Sequence, residues 1–224
     1  MPPLGVPAAV ELAPEFEPAL LHLEKHSHIW VLAWLESAGR DALQVTPRGV
    51  RDQGPSGLHG VFGLRSPTRP NPIGLTAARI TGRQGLRIEL DRLDFSDGTP
   101  VIDLKAYFVT RDCIFSATNA QIGRPASREA LKDALLMQGE MYCGARTPEV
   151  ELAAEIVSRF RAEVLEFVDP QDWRITVPAA RPALADAITA MTRATAGQGS
   201  LIFSDEDAVS IEHGGRIVTF PLDA

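Results

Sequence analysis

LHGVFGLRSPTRPNPIGLT, residues 58–76, carries Pro67, Pro70 and Pro72 in close succession. Each proline lacks an N–H, fixes φ and moves its predecessor (Ser66, Arg69, Asn71) away from the helical region. Residues 66–72 therefore read as neither a helix nor a central strand. What remains is a rigid extended loop between strand-like runs at 60–64 and 73–80, presenting Arg65, Arg69 and Asn71. Ordering a flexible loop on binding costs roughly 1 kcal/mol or more per residue, so a loop already rigid suits the capture of a small polar ligand. The alternative is a structural proline turn whose arginines are solvated.

Working outward, the pattern stays β. Residues 77–81, 86–93 and 100–108 are strand candidates separated by Gly82, Gly85 and Asp97-Gly98, and short strands at this spacing predict an antiparallel barrel or sandwich. In the last of them Val101, Asp103, Lys105 and Tyr107 share one face, and Ile102, Leu104, Ala106 and Phe108 share the other. The apolar face is expected to meet a core. The acid, base and phenol in register read as either a site or a charge-paired surface. Upstream, residues 10–12 suggest a short strand and 14–23 a helix, while HIWVLAWL (28–35) is continuously apolar and is expected to be a strand buried on both faces.

From about Cys113 the character changes. Residues 127–139 carry Leu131, Leu135 and Leu136 on one helical stripe, and a second helix runs from a cap at Thr147, with Pro148 at its first position, to about Leu165. A strand over 173–177, a helix over 182–194 and two or three strands over 200–222 follow. The expected fold is α+β, an antiparallel β-barrel domain over 1–115 and a smaller mixed α/β domain over 116–224.

Composition narrows the function classes. The chain has 224 residues, 45% of them hydrophobic, which fits a globular protein of one large or two small domains. No apolar run approaches the ~18 residues of a membrane span, and the N-terminus lacks the basic and apolar regions of a signal peptide, so a cytoplasmic protein is expected. Cys113 and Cys143 are then expected to be buried free thiols. The formal charge of −7 argues against a generic nucleic-acid binder. Its distribution is uneven: residues 1–120 carry 12 Lys+Arg against 13 Asp+Glu, and residues 121–224 carry 10 against 16. Nine arginines and no lysine lie from Arg40 to Arg92, a composition that favours bidentate contacts to phosphate or carboxylate. His22, His26 and His28 are close in sequence, but no HExxH or carboxylate at ligand spacing accompanies them, and no metal is expected. His59 beside the central loop reads as a ligand contact or a cap. Nucleophile-elbow, P-loop and dinucleotide-binding motifs are absent from the sequence.

Three segments, SHIW (27–30), GVFGLRSPTRPNPIGL (60–75) and DGTPVIDLKAY (97–107), together resemble the S-adenosylmethionine-dependent tRNA methyltransferases that N6-methylate threonylcarbamoyladenosine at tRNA position 37. The resemblance covers about residues 8–112. It implies a small β-barrel methyltransferase domain working as a homodimer, with the cofactor S-adenosyl-L-methionine near the subunit interface and tRNA as partner. By motif, Leu35, Glu36, Arg65, Leu75, Asp97, Gly98, Thr99 and Pro100 line the cofactor pocket. The residue chemistry adds Ser66, Arg69 and Asn71, since a guanidinium can fork onto the cofactor carboxylate while acids accept from its hydroxyls or ammonium. Methyl transfer needs the nucleophile oriented and its proton removed, and Asp103, Lys105 and Tyr107 are the candidates for that task. The chain has Ala106 where the family has proline, and it lacks the terminal Asp-Pro-Arg-Pro-Ala-Tyr segment of the bacterial tRNA enzyme. A methyltransferase of the same fold with another acceptor, or a cofactor-binding sensor without turnover, are the alternatives.

Overall fold

The computed structural model describes residues 5–222. The chain divides into two compact units, Met1–Ala120 and Gln121–Ala224.

The first unit is built on one antiparallel sheet of five strands. In chain order its strands are β1 (Val6–Glu11), β2 (His28–Trp34), β3 (Gln44–Val45), β4 (His59–Gly60), β5 (Ile73–Gln84), β6 (Arg87–Leu93) and β7 (Val101–Ala106), followed by the single turn α1 (Val109–Asp112). The sheet order is β1-β6-β5-β2-β7, with β3 and β4 forming a separate ribbon. The sheet is open, and this corrects the expected closed barrel: β1 pairs with β6 and β7 with β2, leaving both as edges. Turn spacing identifies hairpin neighbours but carries no information on closure. The edge residues explain the outcome. Pro7 in β1 removes a ladder donor, while β7 carries Asp103, Lys105 and a bulge, all features that blunt an edge.

Strand β2 alternates, with Ile29, Val31 and Ala33 fully buried and His28, Trp30, Leu32 and Trp34 half-buried. It is thus dry on one face only, which corrects the expectation of burial on both. The dry face meets Val10, Leu20, Ala78, Ile88, Leu90 and Leu93, and each fully buried Ile or Leu there stabilises by about 1.5–3 kcal/mol. β7 departs from strict alternation. A bulge between the Leu32–Asp103 and Ala33–Val101 pairs puts both Val101 and Leu104 against the core. Ile102, expected inside, is 50% exposed because it is the extra residue of the bulge, and Phe108, also expected inside, is 44% exposed because β7 ends at Ala106, before it.

Residues 14–23 also differ from expectation. Pro18 interrupts the segment, which forms a 3-10 helix over Pro14–Leu20 with Leu20 buried and Phe16 exposed. The run at 60–64 is a 3-10 turn, Val61–Gly63, rather than a strand.

The second unit holds α2 (Arg128–Cys143), α3 (Pro148–Glu163), β8 (Arg174–Pro178), α4 (Pro182–Thr192), β9 (Leu201–Ser204), β10 (Ala208–His213) and β11 (Arg216–Pro221). Ser127 and Thr147 cap α2 and α3 by accepting from the N–H groups of Ala130 and Val150. The sheet order is β11-β10-β8-β9, antiparallel except for β8 and β9, which are parallel and joined through α4. The three helices bury Leu135, Phe160 and Ile188 against Ile175, Val177 and Ile211 of the sheet. After α3, Glu166 and Phe167 both adopt positive φ (46° and 69°), a costly conformation for side-chain-bearing residues. Buried Arg161 holds them, donating to the carbonyls of Phe167 (3.3 Å) and Val168 (3.2 Å), and Gln121 Nε2 donates to Phe167 as well (3.0 Å). Cys143, in the last turn of α2, is exposed and Cys113 half-buried, both free, so the expected burial of the thiols does not hold.

Gly139 of α2 is the closest approach among these helices. A Cβ there would lie 2.6 Å from Val150 Cγ1 and 2.9 Å from Met191 Cε. Gly139→Ala is therefore expected to lower stability by about 1–3 kcal/mol through overpacking even though alanine is the better helix former, and Gly139→Ala with Met191→Leu should recover part of the loss. Thermal denaturation of the three variants checks this.

Candidate functional site

At one end of the first unit's sheet, where β2 finishes, the chain makes a turn over 35–39 that has no strand to pair with. The N–H groups entering it are satisfied by carbonyls of prolines, and its last carbonyl accepts from the proline loop. Trp34 N donates to Pro100 O (2.8 Å), Leu35 N donates to Pro72 O (2.8 Å), and Arg69 N donates to Gly39 O (3.1 Å). Arg40 Nε adds a bond to Pro70 O (3.0 Å) while its guanidinium lies 5.5 Å over the Trp34 ring. The proline loop is thereby stitched to the end of β2.

Between this turn and the β6–β7 connection lies a cleft of about 540 Å3, within the range of small-molecule sites. Six of the sequence-predicted residues converge on it: Leu35, Glu36, Asp97, Gly98, Thr99 and Pro100. The 96–99 turn is closed by Thr99, whose N–H and hydroxyl both donate to Ser96 O (3.1 and 2.7 Å). Gly98 sits at φ +74°, open to glycine without strain.

Other predicted residues lie elsewhere. Arg65, Ser66, Arg69, Asn71 and Leu75 do not line the cleft, to which the proline loop contributes Pro67 and Thr68 instead. Arg69 is half-buried and donates to Leu64 O (3.2 Å), holding its own loop. Arg65 and Asn71 are exposed. Leu75, 41% exposed, pairs with Leu32 on the sheet's open face. Asp103, Lys105 and Tyr107 also stand outside the cleft. Lys105 Nζ pairs with Asp103 Oδ2 at 2.6 Å, both side chains well exposed, and such a pair contributes about 0–1 kcal/mol. Tyr107 rests on Trp30, and its phenol is pushed up in pKa by burial and by nearby Cys113 and Asp112. The hydroxyl therefore keeps its proton at neutral pH. His59 Nδ1 bonds Gly57 O (3.1 Å), a local structural contact.

Sequence reasoning missed Phe95, Asp94, Ser96 and the 37–39 backbone, all in the cleft wall. Phe95 had a signal in Gly74: a Cβ at that position would lie 2.4 Å from Phe95 Cε1, so the glycine of the PIGL string is the seat of this ring. Asp94 accepts from Thr76 Oγ1 (2.5 Å). The lining includes the carboxylates of Glu36, Asp94 and Asp97 and no lysine, arginine or histidine. A cleft of that sign attracts a cation. Among the described residues no group of three or more His, Cys, Asp or Glu is placed to hold a metal ion.

Fold and cleft together give an open antiparallel sheet with an acidic pocket beside a proline loop. Residues 4–113 match the family model described as the tRNA-methyltransferase O N-terminal domain, and the chain belongs to that family. A protein of Archaeoglobus fulgidus named S-adenosyl-L-methionine-binding protein is 42% identical over 100 residues, 45% of this chain and 68% of that protein. A second from the same organism, named probable S-adenosyl-L-methionine-binding protein, is 34% identical over 202 residues, 88% of this chain. The chain spans 53% of that relative's length. The mouse protein named tRNA (adenine(37)-N6)-methyltransferase is 38% identical over 96 residues, 43% of this chain and 22% of its own length.

Gly74→Ala is expected to lose about 1–3 kcal/mol of stability by displacing Phe95 and to weaken ligand capture in the cleft. Phe95→Leu should be the milder change alone, and Gly74→Ala with Phe95→Leu should be more stable than the two losses summed, since the pair touches. Urea denaturation of the four proteins measures that coupling.

Proposed function

We propose that this chain binds S-adenosyl-L-methionine in the acidic cleft and transfers its methyl group to N6 of threonylcarbamoyladenosine at position 37 of tRNA. The observation that carries the reading is the convergence of Leu35, Glu36 and the 97–100 turn, distant in sequence, on one cleft beside the proline loop. The lining fits the cofactor by charge, because three carboxylates and no cation suit a sulfonium and an ammonium.

When bound, the cofactor supplies an electrophilic methyl on sulfur. Its transfer to N6 would leave the electron pair of the S–CH3 bond on sulfur as a neutral thioether, so that the N6 proton is what the chain's own residues would have to remove. The chain's own work is orientation and proton removal. Glu36 and Asp97 accept from the ammonium or ribose hydroxyls, and Phe95 and Pro100 give the adenine an apolar wall. None of the three residues offered for the proton lines the cleft; Tyr107 keeps its own proton and the Lys105 ammonium has no lone pair, so of the three only the Asp103 carboxylate can accept.

The cofactor's carboxylate finds no cation among the cleft-lining residues, and this supports action as a homodimer in which a second copy brings one, Arg65 on its exposed loop being the candidate. A cytoplasmic location accompanies this reading, and no helix of the described residues is long and apolar enough to cross a membrane. A second reading, cofactor binding with a different acceptor or with none, draws on the acidity of residues 121–224, which carry 16 acids against 10 bases and make a poor RNA platform.

Nucleoside mass spectrometry of tRNA from a deletion strain, with and without the complementing gene, separates these readings. The methylated threonylcarbamoyl nucleoside should vanish and return. Its persistence in the deletion, together with failure of the purified protein to form it, would sink the tRNA assignment. Calorimetry tests the cofactor assignment independently. Adenosylmethionine should bind more tightly than its uncharged-sulfur product, and Glu36→Gln or Asp97→Asn should each narrow that gap by about twofold to fivefold, as the loss of ~0.3–1 kcal/mol of screened attraction implies. Equal affinities unaffected by either change would show that the carboxylates do not read the sulfonium.

A further inference from the structure

The open face of the sheet in the first unit carries side chains that the cleft does not use. β2 presents His28, Trp30, Leu32 and Trp34 there. Through the ladders, Trp30 is flanked by Lys105 and Ala77, and His28 by Arg79. The Tyr107 ring lies 5.5 Å from that of Trp30 at 41° and 6.1 Å from that of His28 at 55°. Beyond them His26 meets Phe108 edge-on at 5.2 Å, with the Arg111 guanidinium 5.3 Å over the same ring. At the opposite end stands Trp34, a wall of the cleft, with Arg40 over its ring.

The geometry points to this face as a stacking platform for unpaired bases of an RNA loop, running from the cleft along β2 to Tyr107. The occupant is argued from charge, chemistry and continuity. Along the row Lys105 pairs with Asp103 and Arg92 with Asp91, and Arg40, Arg79 and Arg111 stand against Asp112, an excess of positive charge on a chain whose net charge is −7. Asp112 is already engaged, accepting from Phe108 N (2.8 Å). Aromatic rings set among cations on a sheet are how unpaired RNA is held, since every base has a π-face and each stack contributes about 1–3 kcal/mol. Trp34 belongs to both the cleft and the face, and Trp30 lies four residues along the strand, roughly 13 Å away. A base at the cleft and its neighbours on the platform can thus belong to one loop. Tyr107, protonated at neutral pH, adds a hydroxyl donor to a base edge.

The inference rests on the RNA substrate proposed above, and the experiment separates the two. Full-length protein is titrated into a fluorescein-labelled anticodon stem-loop and into a fully paired duplex of the same composition, following anisotropy and tryptophan quenching. The hairpin should bind more tightly than the duplex. Trp30→Leu and Tyr107→Leu should each weaken hairpin binding by about tenfold or more, while Trp30→Phe and Tyr107→Phe stay within about threefold of wild type. Adenosylhomocysteine affinity, measured alongside, should not change and shows that each variant is folded. Should Trp30→Leu fail that control, Tyr107→Leu decides alone. Equal binding of hairpin and duplex, or leucine variants that bind the hairpin like wild type, would overturn the platform whether or not tRNA is methylated. Stacking lost on substitution in a protein that methylates no tRNA would keep the platform and remove the substrate assignment. A wild-type dimer that dissociates in Tyr107→Leu with RNA affinity unchanged would give the face to self-association and overturn the proposal.

Discussion

A proline has no N–H to offer, but its carbonyl accepts as well as any other, and the cleft of this protein depends on that asymmetry. The ladder of β2 runs out at Trp34, opposite Ile73 on one side and Val101 near it on the other. The chain continues into a turn, and its next donors would be left to water. Pro100 and Pro72 take the N–H groups of Trp34 and Leu35, and Pro70 takes Arg40 Nε. Each bond contributes only about 0.5–1.5 kcal/mol net. Their value lies in geometry, because three prolines of fixed φ place three carbonyls without conformational search and so set the cleft's rim before any ligand arrives.

That rim stays in place because the face beneath it is packed without slack. Gly74 gives up its side chain so that Phe95 can lie on β5, which brings the 94–100 connection against the end of β2. Thr76 then holds Asp94 on the same connection. The dry face supplies the stiffness, and the cleft is its margin. The open face, by contrast, keeps Ile73 and Leu75 at 39% and 41% exposure. Apolar side chains exposed in such a row mark a surface on which something else can rest.

The local chemistry of the chain was legible in its sequence and the long-range geometry was not. The cap at Thr147, turns at Gly85 and Asp97-Gly98, and the strand–helix alternation after Cys113 depend on contacts within a few residues, and each appears in the structure. Sheet closure depends on whether β1 and β7 meet, about ninety positions apart, and no local pattern encodes that. The bulge at Ile102 shows a finer limit. Period-two alternation assigns faces only while the ladder stays in register, so one inserted residue exchanged Val101 and Ile102. In the site, residues read from turns came together, whereas Arg69, read as a ligand fork, serves Leu64 O. Sequence shows that a guanidinium is present, and only the fold shows which acceptor it reaches first. Phe95 could have been found by asking why Gly74 must be glycine, a question whose answer is twenty-one residues away.

Net charge proves a poor guide to partners here, for a reason that can be given a length. The charged residues lining the cleft are all acids, while the open face of β2 is edged by Arg79 and Lys105, and the chain as a whole is at −7. At physiological ionic strength the screening length is about 8 Å. The distance from Trp34 to Trp30 is roughly 13 Å along the strand, so the two fields overlap weakly and each acts on its own neighbourhood. A cation in the cleft then meets carboxylates, and a phosphate chain on the sheet meets guanidinium and ammonium groups, with neither cancelling the other. About half of the acids of residues 121–224 are set in ion pairs with arginines and lysines of the same unit, such as Glu155 with Arg128 and Lys132. One polypeptide can therefore be acidic overall and still present an acidic cleft and a basic stretch of sheet, provided the opposite charges stand more than a Debye length apart.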